Sequence, residues 1–312
     1  MPLVDVLSAA SNVTPPYHGP SVLEPFTYVA AQPGKGVRGR LLGAFNSWMN
    51  VPEAGMDSIT KVIGMLHNAS LILDDIEDGS QLRRGQPAAH IVYGIPWAVN
   101  AATYTHALVY QELSRMKGGR LEYGDLVTIV TDELVCLHQG QGLDIIWRDS
   151  FHCPSETEYI ETGGLLRMGA FHPFNDSSPI SRDYVALADL IGVYFQIRDD
   201  YMNLQSSAYA SSKGFAEDLD EGKFSFPIIH GVQVNISNNL ILDVLKAQPA
   251  TSALKMEVID YLKAETKSFD YTLSILNALE TNITQSIAAL GGNEKLSSII
   301  ADLHVPPATA NF

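Results

Sequence analysis

A chain of 312 residues, 46% of them hydrophobic, is long enough to bury a sizeable core as one large domain or two small ones. Its formal net charge of −15 repels nucleic acid and anionic membranes, so an anionic substrate needs a local basic pocket or metal ions. The two cysteines, Cys136 and Cys153, exclude a disulfide scaffold and a cysteine-rich zinc site and fit a reducing cytoplasm.

No basic stretch followed by an apolar run opens the chain, so no secretory signal is expected. Residues 1–22 hold Pro2, Pro15, Pro16 and Pro20 without apolar periodicity and read as a loosely held arm before a single all-α domain over 23–312. From about residue 38 onward, apolar side chains recur at helical spacing. Val62, Met65, Leu66, Ala69 and Leu73 form one stripe, and Leu187, Leu190, Ile191, Tyr194 and Ile197 another. Ile91 to Tyr110 is the nearest approach to a membrane span. It contains Pro96, Asn100, Thr103, Thr105 and His106, so a buried core helix is predicted and no transmembrane segment. Short loops are marked by Gly or Pro at Gly79–Gly85, Gly118-Gly119, Cys153-Pro154 and Ser177–Pro179. Gln205–Gly222 is read as another such loop, and Val305-Pro306-Pro307 closes the last helix. Alternating strand patterns are scarce, so the economical reading is all-α.

Two aspartate-rich stretches interrupt the apolar pattern, Asp74-Asp75-Ile76-Glu77-Asp78 and, about 125 positions later, Asp199-Asp200-Tyr201-Met202-Asn203. Helical residues four apart share a face, so Asp74 converges with Asp78 and Asp199 with Asn203. Carboxylates crowded this way repel unless a hard cation bridges them, and Mg²⁺ suits oxygen ligands shared with substrate phosphates. Two such clusters facing each other would hold a polyphosphate. The few cations fall nearby: Lys35 and Arg38, three apart at a helix start; His67, two turns before Asp74; Arg83 and Arg84 after the first cluster; Lys213 and Lys223 after the second.

Several blocks in one order resemble the trans-isoprenyl diphosphate synthases, most closely the fungal and animal geranylgeranyl diphosphate synthases, over roughly residues 24–232. They are Met65–Leu71 running into Asp74–Asp78, then Leu82–Gly85, Leu137–Asp144, Phe195–Tyr201 and Glu221–Pro227. The resemblance implies an isoprenoid synthase fold, a multi-helix bundle around a deep cavity, and a homodimer. It implies Mg²⁺-dependent condensation of isopentenyl diphosphate with dimethylallyl, geranyl or farnesyl diphosphate to geranylgeranyl diphosphate. By family match, Asp74, Asp75, Asp78, Asp199, Asp200 and Lys223 are catalytic, with Asp74, Asp78, Asp199 and Asp200 on the metal. Lys35, Arg38, His67 and Arg84 hold isopentenyl diphosphate. Arg83, Thr162, Gln196, Asn203, Lys213 and Lys223 hold the allylic diphosphate. Ala69 and Ser70, a turn below Asp74, set the chain-length floor; neither is aromatic, which favours a product longer than farnesyl.

One strip departs from the family. A Lys-Thr-Gly-Gly block is expected after Cys153-Pro154-Ser155-Glu156-Thr157-Glu158-Tyr159, but Glu161-Thr162-Gly163-Gly164 stands there, with Glu161 for the lysine and about five residues missing. Five residues removed from a helix rotate its downstream part by roughly 140°. A carboxylate at 161 repels a diphosphate unless it turns outward or recruits metal, and Pro173 falls where relatives continue a helix. We expect retained activity, because the other matched positions are intact, and improvement on Glu161→Lys. Two other readings share these features. One is a weakly active or non-catalytic partner subunit, the other a class I terpene cyclase, which need not keep Lys35, Arg38 and Lys223.

Overall fold

The computed structural model describes residues 22–34, 36–116, 122–162, 179–206, 215–247 and 250–306, with backbone alone at 162 and 179–183. The expected arm, Lys35, Lys213, the Thr162 side chain and the strip from 163 to 178 lie outside the described residues.

Helices succeed one another with short connections: α1 (Glu24–Ala31), α2 (Val37–Met49), α3 (Glu53–Glu77), α4 (Ala89–Tyr93), α5 (Ile95–Leu113), α6 (Tyr123–Ser150) and α7 (Glu156–Thr162). Then come α8 (Pro179–Gln205), α9 (Glu217–Glu221), α10 (Phe226–Val234), α11 (Leu240–Lys246), α12 (Ser252–Ala264), α13 (Ser268–Ala289) and α14 (Glu294–Leu303). The sole strands among the described residues are β1 (Leu82–Arg83) and β2 (Gln86–Pro87), an antiparallel pair between α3 and α4.

Helix α3 makes its most extensive contact with α5, and small side chains explain how closely they approach. Ala69 meets Ala98 and Ala102 in a seam that Val29 and Ile72 close. Further along, Val62 of α3 packs with Val109 and Leu113 of α5 and with Leu126 and Val130 of α6. The largest cluster surrounds α8, whose predicted stripe is inward-facing: Leu187, Ile191, Tyr194 and Ile197 are buried in the same cluster as Leu276, Ile283 and Ile287 of α13. Helix α10 comes so close to α11 and α12 that a Cβ on Gly231 would collide with Leu262 and Ile241 side-chain carbons. Any larger residue there would require those two side chains to move.

Three expectations need correction. The apolar span from Ile91 to Tyr110 is not one helix: Gly94, at φ +84°, ends α4 and starts α5. Its inner face is core as predicted, but Ile91, Val92, Ile95 and Trp97 are exposed. The loop Gly79–Gly85 contains the start of the β-hairpin, whose two-residue strands are too short for an alternating pattern. The stretch from Gln205 to Gly222 includes α9, a five-residue helix pinned by buried Leu219. No helix among the described residues is long and apolar enough to cross a membrane.

Candidate active site

The hairpin is the first positioning device. Its turn residues Arg84 and Gly85 both have positive φ, 55° and 78°, the conformation of a tight primed turn. Arginine tolerates this because its side chain is held: Arg84 Nη1 donates to the carbonyls of Val29 (3.2 Å) and Gln32 (3.1 Å). The two adjacent arginines are thereby sent to different partners. Arg83 is buried and reaches back to the end of α3, donating through Nε to Asp75 Oδ1 (2.7 Å) and through Nη2 to Asp74 Oδ2 (3.0 Å). A second Arg83 bond, from Nη2, also ends on Asp75 Oδ1.

Arg84 also borders a cavity of about 720 Å³ between α1, α2, α3, α8 and the hairpin. Arg38, His67, Arg83 and Asp199 line it too, over a floor that includes Leu41, Leu42, Ile63, Leu71 and Ile191. Arg38 Nη1 donates to His67 Nε2, so the imidazole must be neutral and accepting at that nitrogen. Burial, followed by the fields of Arg38, Arg84 and Arg83, drives the His67 pKa down to about 2. Burial and Arg84 also lower Arg38, to about 10, with Asp199 opposing. Cations that depress one another in an apolar-floored pocket form an anion site, despite the net negative charge of the chain.

A second cluster has the opposite sign. Asp78, at the end of α3, is pushed up to about 9 by burial first and then by Asp74, Glu221 and Asp144. Arg148 of α6 steadies it, with Nη1 donating to Asp78 Oδ1 (3.0 Å) and to the Glu77 carbonyl (3.1 Å). Burial likewise raises the Asp144 carboxyl, with Lys223 opposing and Asp200 and Asp74 adding to the rise. Among these carboxylates sits Lys223; burial disfavours its charge, but Asp200, Asp218, Asp144 and Glu221 outweigh that and hold it protonated. Its segment is fixed from behind: Lys223 N–H donates to Asp218 O (2.9 Å) and Ser80 Oγ donates to Glu221 Oε1 (3.0 Å).

The second aspartate motif divides its duties. Asp199 faces the cavity. Asp200 is buried, its Oδ2 accepting from the Tyr159 hydroxyl (2.5 Å) and the Phe226 N–H (2.8 Å), with Lys223 Nζ 3.8 Å from Oδ1. Asn203 is buried as well, and its Oδ1 accepts from the Asp218 N–H (3.3 Å) at the start of α9. Gln196 is half-buried on α8. Neighbouring Arg198 leaves the site altogether, donating to the Leu303 carbonyl (2.7 Å) to dock α14. Below Asp74, Ala69 is fully buried in the α3–α5 seam, while Ser70 is half-buried with its hydroxyl on the His67 carbonyl (2.8 Å).

Sequence reasoning missed Asp144, Arg148, Glu221 and Tyr159 as site residues. Gln141, Asp144 and Arg148 recur three and four apart, a polar stripe on one face of α6 that could have been read as pointing inward. Tyr159 and Glu221 had no such signal, because long-range packing brings them in. Among the described residues no three metal-ligating side chains form a ready-made cage. The donor chemistry nevertheless suits Mg²⁺, which typically takes one or two carboxylates together with substrate phosphates. Carboxyls raised by burial and then by their acidic neighbours around Asp78 are short of positive charge.

An all-helical bundle that sets an anion-binding cavity beside a cation-hungry carboxylate cluster is the isoprenoid synthase fold, built to handle prenyl diphosphates. Residues 20–262 match the polyprenyl synthetase model, and the chain belongs to that family. It is 45% identical to geranylgeranyl pyrophosphate synthase AN1592 of Hericium erinaceus, covering 91% of this chain and 92% of that protein. It is 43% identical to the geranylgeranyl pyrophosphate synthase of Mucor circinelloides f. lusitanicus, over 91% of this chain and 93% of that one. IDS-like terpene synthase 1 of Melampsora lini is 42% identical, over 91% and 88%.

Proposed function

We propose that the chain condenses isopentenyl diphosphate head-to-tail with allylic diphosphates, ending at all-trans geranylgeranyl diphosphate. The observation that carries this reading is the juxtaposition of the two clusters: Arg38, His67 and Arg84 in one cavity, and Asp74, Asp78, Asp144 and Lys223 beside it. One diphosphate needs the first set. The other needs the second, whose carboxylates would hold Mg²⁺.

In this reading Arg38 and Arg84 bind the isopentenyl diphosphate, together with Lys35, while neutral His67 orients Arg38 and offers its remaining N–H. Asp74, Asp78 and Asp199 are the carboxylates offered to Mg²⁺. When bound, the metal neutralises charge growing on the departing allylic diphosphate. Lys223 adds a fixed ammonium to the same leaving group, an electrostatic contribution that needs no nucleophile. Arg83, Gln196, Lys213 and Thr162 are assigned to the allylic diphosphate, Arg83 after exchanging part of its bonding with Asp74. The isopentenyl double bond then attacks the allylic cation, and a proton leaves to the released diphosphate. Ala69 and Ser70 put no bulky side chain a turn below Asp74, which supports a C20 product.

We further propose a cytoplasmic homodimer. Ile91, Val92, Ile95 and Trp97 around the α4–α5 break, with Val135 and Ile146 on α6, are the exposed apolar groups that support an interface. Incubation with Mg²⁺, isopentenyl diphosphate and each C5, C10 and C15 allylic diphosphate, followed by chain-length analysis, tests the activity. C20 product supports it and no elongation from any primer overturns it. A cyclic hydrocarbon would favour the cyclase reading, and elongation appearing only with a second, different subunit would favour the partner-subunit reading.

A further inference from the structure

The second aspartate motif contains a carboxylate that is not free to do what its sequence position implies. Asp200 Oδ2 already accepts two hydrogen bonds, from the Tyr159 hydroxyl and the Phe226 N–H, at 2.5 and 2.8 Å. Its remaining oxygen looks toward Lys223 Nζ at 3.8 Å, and the whole side chain is buried. A buried carboxylate with one oxygen holding two hydrogen bonds and the other facing a lysine of its own chain is placed as an anchor, whereas Mg²⁺ requires lone pairs presented to an open position.

Tyr159 comes from α7, far from α8 in sequence, and it is held independently of its hydroxyl. Its ring packs on Phe226 with centroids 5.5 Å apart; Phe226 stacks on Tyr271, and Tyr271 on His230 at 4.0 Å. At the other end of α7, Glu156 Oε2 accepts from the Tyr271 hydroxyl (2.8 Å), and the Pro154 carbonyl accepts from Gln233 Nε2 (2.8 Å). The hydroxyl is therefore delivered to Asp200 by a rigid aromatic ladder rather than by a mobile side chain.

We propose that Tyr159 is a positioning residue for the allylic half of the site: its hydroxyl fixes Asp200 Oδ2, which turns Oδ1 toward Lys223 and sets where the Lys223 ammonium stands. Asp200 acts as the relay of that placement rather than as a metal ligand. Removing the hydroxyl lets the carboxylate swing, so that Asp200 can pair more closely with Lys223 and draw the ammonium away from a bound diphosphate. Arg38, His67 and Arg84 have no part in this chain of contacts, so the isopentenyl half should not feel the change.

The inference rests on the prenyl-transfer reading, and Tyr159→Phe tests it, because the ring and its packing remain. We expect kcat/KM for the allylic substrate to fall about tenfold, the scale of one hydrogen bond to a charged group. KM for isopentenyl diphosphate should stay within about twofold, and an unreactive allylic thiolodiphosphate, measured by calorimetry with Mg²⁺, should bind about tenfold more weakly. In a cycle with Asp200→Asn, the double variant should be no worse than Asp200→Asn alone, since the hydroxyl acts only through that carboxylate. Equal losses for both substrates, no loss for either, or additive effects in the cycle would overturn the role of Tyr159. A wild-type chain that neither elongates nor binds the thiolodiphosphate would bring down the prenyl-transfer reading, and this inference with it. Wild-type activity with an unaltered Tyr159→Phe variant would remove this inference alone.

Discussion

The two acidic motifs look alike in sequence, but they are built differently. At the end of α3, Asp75 is the buried middle carboxylate, and Arg83 neutralises it through bonds from two nitrogens. At the end of α8, Asp200 occupies the same place in its motif, yet its two short contacts are a tyrosine hydroxyl and a backbone amide. The first wall is thus closed by charge pairing, the second by neutral donors with a lysine standing off. In both motifs the second aspartate is buried and hydrogen-bonded within the chain, and in the second motif Asp199 beside it faces the cavity. Repeated aspartates therefore do not repeat a role; burial decides which carboxylate anchors and which one is presented.

The largest effect expected is on the first anchor. Asp75→Asn removes the more deeply buried of the two carboxylates that pair with Arg83, and breaking such a pair costs about 3–5 kcal/mol. Asp200→Asn keeps an acceptor for its neutral donors and should cost about 1–3 kcal/mol. Urea unfolding of both variants checks the ranking. Equal costs, or the reverse order, would erase the distinction between the walls.

Next in size is the split between stability and activity at Asp78. Its carboxyl is raised to about 9 by burial and by its acidic neighbours, so the metal-free protein prefers it neutral. Asp78→Asn should leave metal-free unfolding stability at neutral pH equal or higher. Elongation should fall at least about 100-fold, equivalent to roughly 2.7 kcal/mol of transition-state stabilisation. A variant that elongates normally would mean that Asp78 only holds Arg148.

A smaller, pH-dependent effect belongs to His67. Its folded pKa, near 2, lies below the ordinary 6.5, so the unfolded chain binds the extra proton between those values. Stability from this group is complete above pH 6.5 and is lost as the pH falls below it, by up to about 1.4 kcal/mol per unit. His67→Gln keeps an acceptor for Arg38 and cannot titrate, so its stability should fall less steeply from pH 6.5 to 5. Identical slopes for parent and variant would show that the imidazole is not the group responsible.

How much of the fold and the site is legible in the sequence depends on the range of the interactions. The helical class and the inner faces of α3 and α8 come from local periodicity, and the structure buries Ala69, Leu187, Ile191 and Tyr194 as that periodicity requires. Arg38 with His67, and the separation of Arg83 from Arg84, also fall at positions that local motifs mark. Short elements are invisible: a two-residue strand and a five-residue helix contain too few positions for a period. The Tyr159–Asp200 contact spans 41 positions and the Arg148–Asp78 contact 70, and no local pattern encodes either.

The smallest effect concerns Glu161, the residue that looks most damaging in the sequence. Tyr159 settles much of that concern. Two positions along a helix is a rotation of roughly 200°, so a helix pinned with Tyr159 inward turns residue 161 outward. Glu161 is indeed exposed at the end of α7. A carboxylate on that outer face meets water rather than diphosphate, and its field is screened over about 10 Å. Glu161→Lys should therefore change unfolding stability by less than about 0.5 kcal/mol. Any lowering of the allylic KM should be at most about twofold at moderate salt and should vanish at high salt. A larger, salt-insensitive gain would place residue 161 against the substrate and would require α7 to turn away from Asp200, which the Tyr159→Phe variant would then no longer affect.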